Sequence, residues 1–403
     1  MDTINTTASR TGSLPGAILL ITGCCIGAGM LGLPVISSVA GFKPSLLMFV
    51  LSWLFMTTTA LLLLEVNLWF SGDVSLISMA GKTLGVSGKI IGWLCFVFLF
   101  YALGVAYIAG SGELIAMFIQ EATGIVIPQW AGSLIVGLVF GAFVYSGTFA
   151  VDLFNRGLMA GLILAYILLV VLGSQHVASV NLHYQNWSSA VLVLPVMIIS
   201  FGFHNLIPSL TTYLKGDVKR LRLAIICGSC LALVVYLIWE WLILGLVPMN
   251  DEGFLEIIDE GNMATEILKK AVGALWVVNV AQYFAFFAIV TSFLGNSLSF
   301  VDFLSDGLKI KKDARGKFWL CLMVLVPPFL LALAYPKIFL IALNYAGAFG
   351  AVILFGILPA LMVWSGRYHK GLGAKPLVPG GKILLTGIIG FALWIIFMQI
   401  RNL

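Results

Sequence analysis

The sequence predicts an all-α integral membrane protein with eleven transmembrane helices, and three observations carry that prediction. Of the 403 residues, 61% are hydrophobic and 10% charged, with a mean hydropathy of +1.08. Soluble domains carry about 25% charged residues. The apolar residues run in stretches of the length that a helix needs to cross ~30 Å of hydrocarbon, about 20 residues. These stretches lie at 14–36, 44–70, 90–119, 130–149, 157–177, 190–213, 223–247, 275–304, 318–334, 338–364 and 383–400. Finally, a cytoplasmic N-terminus places 17 of the 22 Lys and Arg on inner segments and leaves only Lys43, Lys269, Lys270, Lys337 and Arg401 outside. The positive-inside rule selects that orientation, and the clean alternation supports an odd number of spans. No stretch alternates with period two between turns, as a lipid-facing barrel requires. The net charge of +5 is divided by side of the membrane rather than massed in one patch, so no nucleic-acid surface is expected. The first apolar stretch is too long for a cleavable leader.

The elements follow in order. Residues 1–13 form a short polar cytoplasmic tail. Span 1 contains Gly23-Cys24-Cys25-Ile26-Gly27-Ala28-Gly29-Met30, with Pro34 beyond it. Each Gly costs about 1 kcal/mol against Ala inside a helix, so three so close together mark an unwound backbone or a close approach. Span 6 has a second interruption, Ser200 to Pro208. Two broken helices at corresponding places in two halves point to a transporter's binding site. Spans 1–5 (14–177) and spans 6–10 (190–364) each begin with such a helix. Five is odd, so the second unit enters the membrane from the opposite side and the pair is inverted. Span 11, with the segment 383–403, is accessory. The segment 248–274 lies outside, its acidic part at 251–266, and Met263–Ala274 reads as a short surface helix. The alternative is eleven unrelated helices with scattered glycines, of which the chain has 43. All six cysteines fall in or beside spans. Cys227 and Cys230 form a C-x-x-C with no completing ligands, so the cysteines read as soft apolar side chains, and no metal or cofactor is expected.

The interruptions define the expected site. The N–H groups of Gly27, Ala28 and Gly29 suit a carboxylate at a half-helix N-terminus. The carbonyls of Gly23, Cys24 and Cys25 suit an ammonium or a cation, and Ile26 completes the segment. Across from them, Phe201, Gly202, Phe203, His204 and Asn205 supply further carbonyls and aromatic flanks. Tyr101 and Tyr107 in span 3 are candidates to close the pocket. For all of these, close helix packing is the alternative. His204 is the one histidine at membrane depth. Intramembrane ionisable residues default to function, and a structural bridge between helices is the competing reading. Glu65 and Glu113 are the other candidates for a coupling proton. Glu113 shares a face with Ala102, Ala106, Ala109 and Ala116 and so points into protein. For Glu65 the capping of freed backbone groups is the favoured reading. Glu240, between Trp239 and Trp241, sits in a more lipid-like sequence and is the weakest candidate. Thr291 and Ser292, beside Gly295, could ligate sodium or back-bond to their own helix.

Several motifs occur in order along nearly the whole chain. They are Ile26-Gly27-Ala28-Gly29-Met30-Leu31 with Pro34, Leu61 to Val66, Tyr107-Ile108 with Gly112-Glu113-Leu114, Val151 to Arg156, Ser200 to His204 with Pro208-Ser209, and Ser292 to Gly295. Together they resemble the bacterial hydroxy and aromatic amino acid permeases, the tyrosine-specific members first and the tryptophan permeases next. That resemblance implies a multi-pass symporter of the bacterial inner membrane that takes up an aromatic amino acid with a proton, sodium being the alternative ion. It also implies a leucine-transporter-like five-plus-five inverted repeat, with Gly23 to Gly29 and Phe201 to Asn205 forming the two halves of the site. Cys24, Cys25 and Asn205 depart from the tyrosine permeases, which carry hydroxyl residues at the first two positions and Gly at the third. Span 5 has no Lys to replace a sodium ion. Two other classes fit the sequence less well. Gly85-Val86-Ser87-Gly88 matches the short G-x-S-G of membrane serine proteases, but no second pattern supplies a base. A nutrient sensor would need a signalling segment that these loops are too short to provide.

Overall fold

The computed structural model describes residues 12–70, 72, 74–246, 275–372 and 376–402. The acidic segment 251–266, the surface helix expected over Met263–Ala274 and the tail through residue 11 lie outside them. Among the described residues every regular element is helical, the form that satisfies backbone groups within one segment in hydrocarbon. Among the described residues ten helices are long and apolar enough to span a membrane, or eleven when the bent pair Leu14–Cys25 and Gly29–Ala40 counts as one span.

Span 1 consists of α1 (Leu14–Cys25) and α2 (Gly29–Ala40), whose axes differ by 57°. Ser13 caps α1, its Oγ accepting from Gly16 N–H at 3.1 Å. Spans 2 to 5 are α3 (Phe42–Leu68), α4 (Leu76–Thr123), α5 (Gln129–Ser146) and α6 (Thr148–Gly173). Gly41 (φ 85°) and Gly147 (φ 103°) each stand alone between two helices. The positive φ, open to glycine without penalty, turns the chain in one residue. α4 begins ahead of the residue 90 expected, because residues 76–84 form a helix that meets the span at Gly85 (φ 78°, ψ −159°).

Span 6 is built of a 3₁₀ helix (Trp187–Val193), α7 (Leu194–Ser200), a second 3₁₀ turn (His204–Leu206) and α8 (Ile207–Tyr213). The later spans are α9 (Val218–Leu246), α10 (Leu275–Leu308) and α11 (Ala314–Ala334). Span 10 joins α12 (Phe339–Tyr345) through a π-helical stretch, Ala346–Ile357, to α13 (Leu358–Tyr368); α14 (Gly381–Arg401) ends the chain. The π stretch was not foreseen. It brings Gly347 so close to α7 that an added Cβ would lie 1.9 Å from Pro195 O.

The packing sorts the spans into groups. α1 and α3 pack on α9, α2 packs on α9 and α7, and α7 packs on α3. α4 packs on α5, α10 and α11, and α11 on α5. α6 lies against α10, and the π stretch touches α7, α4 and α14. Small residues permit the close approaches. At the α4–α5 contact, a Cβ on Gly132 would stand 2.1 Å from Gly112 O.

Candidate substrate-binding site

A cavity of about 510 Å³ is lined by residues 26–28 of the first break and by Gly202 of the second, within the range of small-molecule sites. The whole segment Gly23, Cys24, Cys25, Ile26, Gly27, Ala28 and Gly29 lines it, together with Gly202 and Asn205. α4 contributes Phe96, Leu99, Phe100, Leu103 and Tyr107; α6 gives Asn155 and Met159; α10 gives Thr291, Ser292, Gly295, Asn296 and Ser299; and span 10 gives Leu343 and Phe355. The lining runs from the mid-span breaks to Leu19 and Leu20 in α1 and to Ser299 in α10.

The interruptions leave backbone groups that need partners, and α9 supplies several. The Tyr236 hydroxyl stands 2.5 Å from Cys25 O and 2.8 Å from Ser200 O, the last carbonyls of α1 and α7. Pro34 has no N–H to give to Met30 O, four residues earlier; Trp239 Nε1 donates there instead, at 3.0 Å. The Ala28 N–H donates to Ser292 Oγ at 3.0 Å. This corrects the expectation that the N–H groups of Gly27, Ala28 and Gly29 all face a ligand, because the middle one is taken by α10. Cys25 O is likewise taken by Tyr236. Thr291 Oγ1 donates to Ala288 O at 3.1 Å, back-bonding to its own helix. The two outer glycines are close approaches: an added Cβ would stand 2.4 Å from Ser292 Oγ at Gly27 and 2.7 Å from Ser200 Oγ at Gly29. Cys24 Sγ, 3.8 Å from Gly202 O, reaches from one break to the other.

Four of the expected contacts stand behind the wall rather than on it. Phe201 is fully buried, edge-on to Tyr236 with ring centroids 5.2 Å apart. Phe203 is also fully buried. Tyr101 donates to Met323 O at 2.9 Å and turns its ring edge to Phe300. His204 is fully buried, with Nε2 2.9 Å from Thr59 Oγ1 and its ring stacked on Phe355 at 4.7 Å. It thus supports the cavity wall through Phe355 and bridges spans 6, 2 and 10.

The aromatic wall was missed although a signal was present. Phe96, Phe100, Leu103 and Tyr107 fall at offsets of four, seven and eleven, one stripe of a helix, and only Tyr107 was singled out. Asn296 and Ser299 continue the Ser292 stripe in the same way. Asn296 Nδ2 donates to Phe100 O at 3.2 Å, which fixes the two elements to each other.

The carboxylates separate by environment. Glu65, in α3, accepts from Arg367 Nε (2.7 Å) and Nη2 (2.6 Å) and from Leu377 N–H (2.7 Å). Both side chains are buried. Glu65 therefore anchors span 2 to span 10, rather than capping the unwound segments. Glu113 is half-buried on α4, away from the cavity lining, and is engaged there. Glu240 corrects its lipid-like reading: it is fully buried, accepting from Ser37 Oγ of α2 at 3.3 Å. Cys24 and Cys230 are exposed, contrary to the expectation of buried cysteines, and Cys24 lies on the cavity wall. Ser87 of the G-x-S-G motif donates to Leu84 O at 3.3 Å, in the turn after Gly85.

Comparison with known proteins adds to the geometry. The model of the tryptophan/tyrosine permease family matches residues 10–399. The chain is 33% identical over 384 residues to the tyrosine-specific transport system 1 of Haemophilus influenzae, covering 93% of each. It is 34% identical over 406 residues to the tryptophan-specific transport protein of the same organism, covering 97% of this chain and 96% of that one. A tryptophan-specific transport protein of Pseudomonas aeruginosa is 31% identical over 377 residues, covering 91% and 89%.

Proposed function

This chain belongs to the tryptophan/tyrosine permease family, and we propose that it imports an aromatic amino acid, L-tyrosine first, together with a proton across the bacterial inner membrane. It is a permease, not an enzyme. One observation carries the proposal: a single cavity joins exposed peptide groups at two interrupted spans to an aromatic wall. The zwitterionic head of the substrate lies against Gly27, Gly29, Cys24 and Gly202. Hydrogen bonds to charged groups contribute about 1.5–3 kcal/mol each. The ring lies against Phe96, Phe100 and Phe355, where aromatic pairs add about 0.5–1.5 kcal/mol beyond their burial. Tryptophan is the second reading, favoured by relatives that are tryptophan-specific transport proteins.

The architecture we propose for this transport is the leucine-transporter-like five-plus-five inverted repeat. Residues 14–177 and 190–364 are its units, and spans 1 and 6 are the broken helices. Spans 1, 2, 6 and 7 would rock against spans 3, 4, 8 and 9, the two groups that the packing supports. The cavity reaches Leu19 and Ser299 on the side of the N-terminus, the cytoplasmic side in the positive-inside orientation, so this is the inward-open form.

Counterflow in proteoliposomes tests the substrate. Preloaded tyrosine, tryptophan and phenylalanine are expected to drive exchange and serine not to; serine exchange as fast as tyrosine exchange overturns the reading. Tyrosine uptake is also expected to acidify the lumen without sodium. A strict sodium requirement would move coupling to Thr291 and Ser292.

A further inference from the structure

We propose that Glu240 binds the proton carried with the amino acid, an assignment that rests on the proton-coupled reading above. Among the described residues, Oε1 of Glu240 accepts from Ser37 Oγ and Oε2 has no partner. The side chain is fully buried, six residues before the end of α9. Glu65 provides the contrast. It is equally enclosed but is met by a guanidinium in two bonds and by a backbone N–H, an environment built for a permanent anion. Among the described residues Glu240 meets no such counter-ion, and an unpaired carboxylate away from water is among the most unfavourable states a side chain can hold. The site suits the neutral acid and penalises the anion, so gaining or losing one proton changes the stability of the surrounding packing.

That packing lies behind the cavity wall, not on it. Tyr236, Trp239 and Glu240 share one face of α9. The first holds the ends of α1 and α7, the second holds Met30 O, and Glu240 holds Ser37, two turns into α2. A charge on Glu240 acts directly on α2, whose first residue lines the cavity. In the outward-open form, water delivers a proton to a carboxylate oxygen of Glu240 and an O–H bond forms. In the inward-open form that bond breaks and the proton leaves to water on the cytoplasmic side. One proton crosses per cycle, and no other reactant is required.

The titratable groups around α9 are these. On α3, Glu65 pairs with Arg367, while Lys43 is exposed at the start of the helix, two residues before Ser45, whose Oγ donates to Ser37 O. On α6, Arg156 pairs with Asp152 at 2.7 Å, and Tyr166 donates to Val235 O. His176 and His183, on the short helices beside the end of α9, have Nδ1 against Leu172 O and Ser179 O. Cys24 and Cys25 are the titratable side chains of α1, and α2 has none.

The test uses purified full-length protein in proteoliposomes at zero membrane potential with an inward pH gradient of one unit. One proton per substrate gives about tenfold accumulation of tyrosine. The wild type is expected to reach it and to acidify the lumen. Glu240→Gln is expected to keep tyrosine counterflow but to accumulate to a ratio of about one, without acidification. Coupled accumulation by Glu240→Gln overturns the assignment; absence of acidification in the wild type overturns the proton-coupled reading itself. If Glu240→Gln does not exchange, Ser37→Ala decides. It keeps the acid but removes the donor that favours the anion, so the midpoint of the uptake–pH profile should move upward. An unchanged profile overturns the proposal.

Discussion

Gly27 and Gly29 show how little space a functional backbone leaves. Each faces a serine hydroxyl so closely that a Cβ would collide with it, Ser292 on one side and Ser200 on the other. Ser292 is also the acceptor for Ala28 N–H, so a side chain at Gly27 pushes away the group that secures the break. Overpacking typically destabilises by about 1–3 kcal/mol, and here the displaced atoms form the cavity wall. Gly29→Leu is therefore expected to reach the membrane at normal levels yet lose at least about tenfold in uptake, the equivalent of 1.4 kcal/mol. Surface quantitation alongside radiolabelled tyrosine uptake checks both halves, and normal uptake would remove Gly29 from the site. The glycines were legible because a helix in lipid has no intrinsic use for them. Of the serines opposite, Ser292 was legible as a hydroxyl that could ligate sodium or back-bond, and Ser200 only as the start of the second interruption, because chain position does not tell which helix a hydroxyl faces. Phe201, Phe203 and His204 illustrate the same limit. Their neighbourhood was found, but at an irregular turn the helical period no longer says which side chain points inward.

At the scale of elements, α9 holds the two interrupted spans together. Its aromatic and acidic residues read as lipid-facing because Trp239, Glu240 and Trp241 are consecutive. The structure turns Trp239 and Glu240 inward and leaves Trp241 half-buried. What decides this is the demand for donors from carbonyls in other helices, which no pattern within α9 can show. Pro34 creates one such demand and Trp239 meets it. Removing the indole N–H leaves a buried carbonyl unpaired, at about 1–3 kcal/mol. Trp239→Phe is expected to lower the melting temperature in detergent. In Pro34→Ala the backbone N–H returns and can bond Met30 O, so Trp239→Phe should cost less in that background. A double-mutant cycle measures the difference, and strict additivity would mean that the two residues do not share this carbonyl.

For the molecule as a whole, the ten or eleven long apolar helices and their sequence positions were legible because hydrophobic length is a property of the chain alone. The early start of α4 was not, since residues 76–84 are helical without being part of a separate apolar run. Nor was the tie from Glu65 to Arg367, whose partners stand 302 residues apart. That tie joins span 2 to span 10 while the cavity stays open between α1, α4, α6 and α10, so opening on this side does not require breaking it. The lining instead predicts which positions water reaches. Asn205 and Ser299 stand on the wall toward the N-terminal side. Asn205→Cys and Ser299→Cys are therefore made one at a time in a transport-competent background lacking the six native cysteines. A membrane-impermeant thiol reagent is expected to label both in inside-out vesicles, with tyrosine slowing the reaction. The same reagent applied from outside to intact cells should reach them only as fast as the carrier turns over. Rapid external labelling with no effect of tyrosine would place the opening on the other face. It would reverse the orientation drawn from the 17 inner basic residues, because the cavity and the N-terminus lie on the same side.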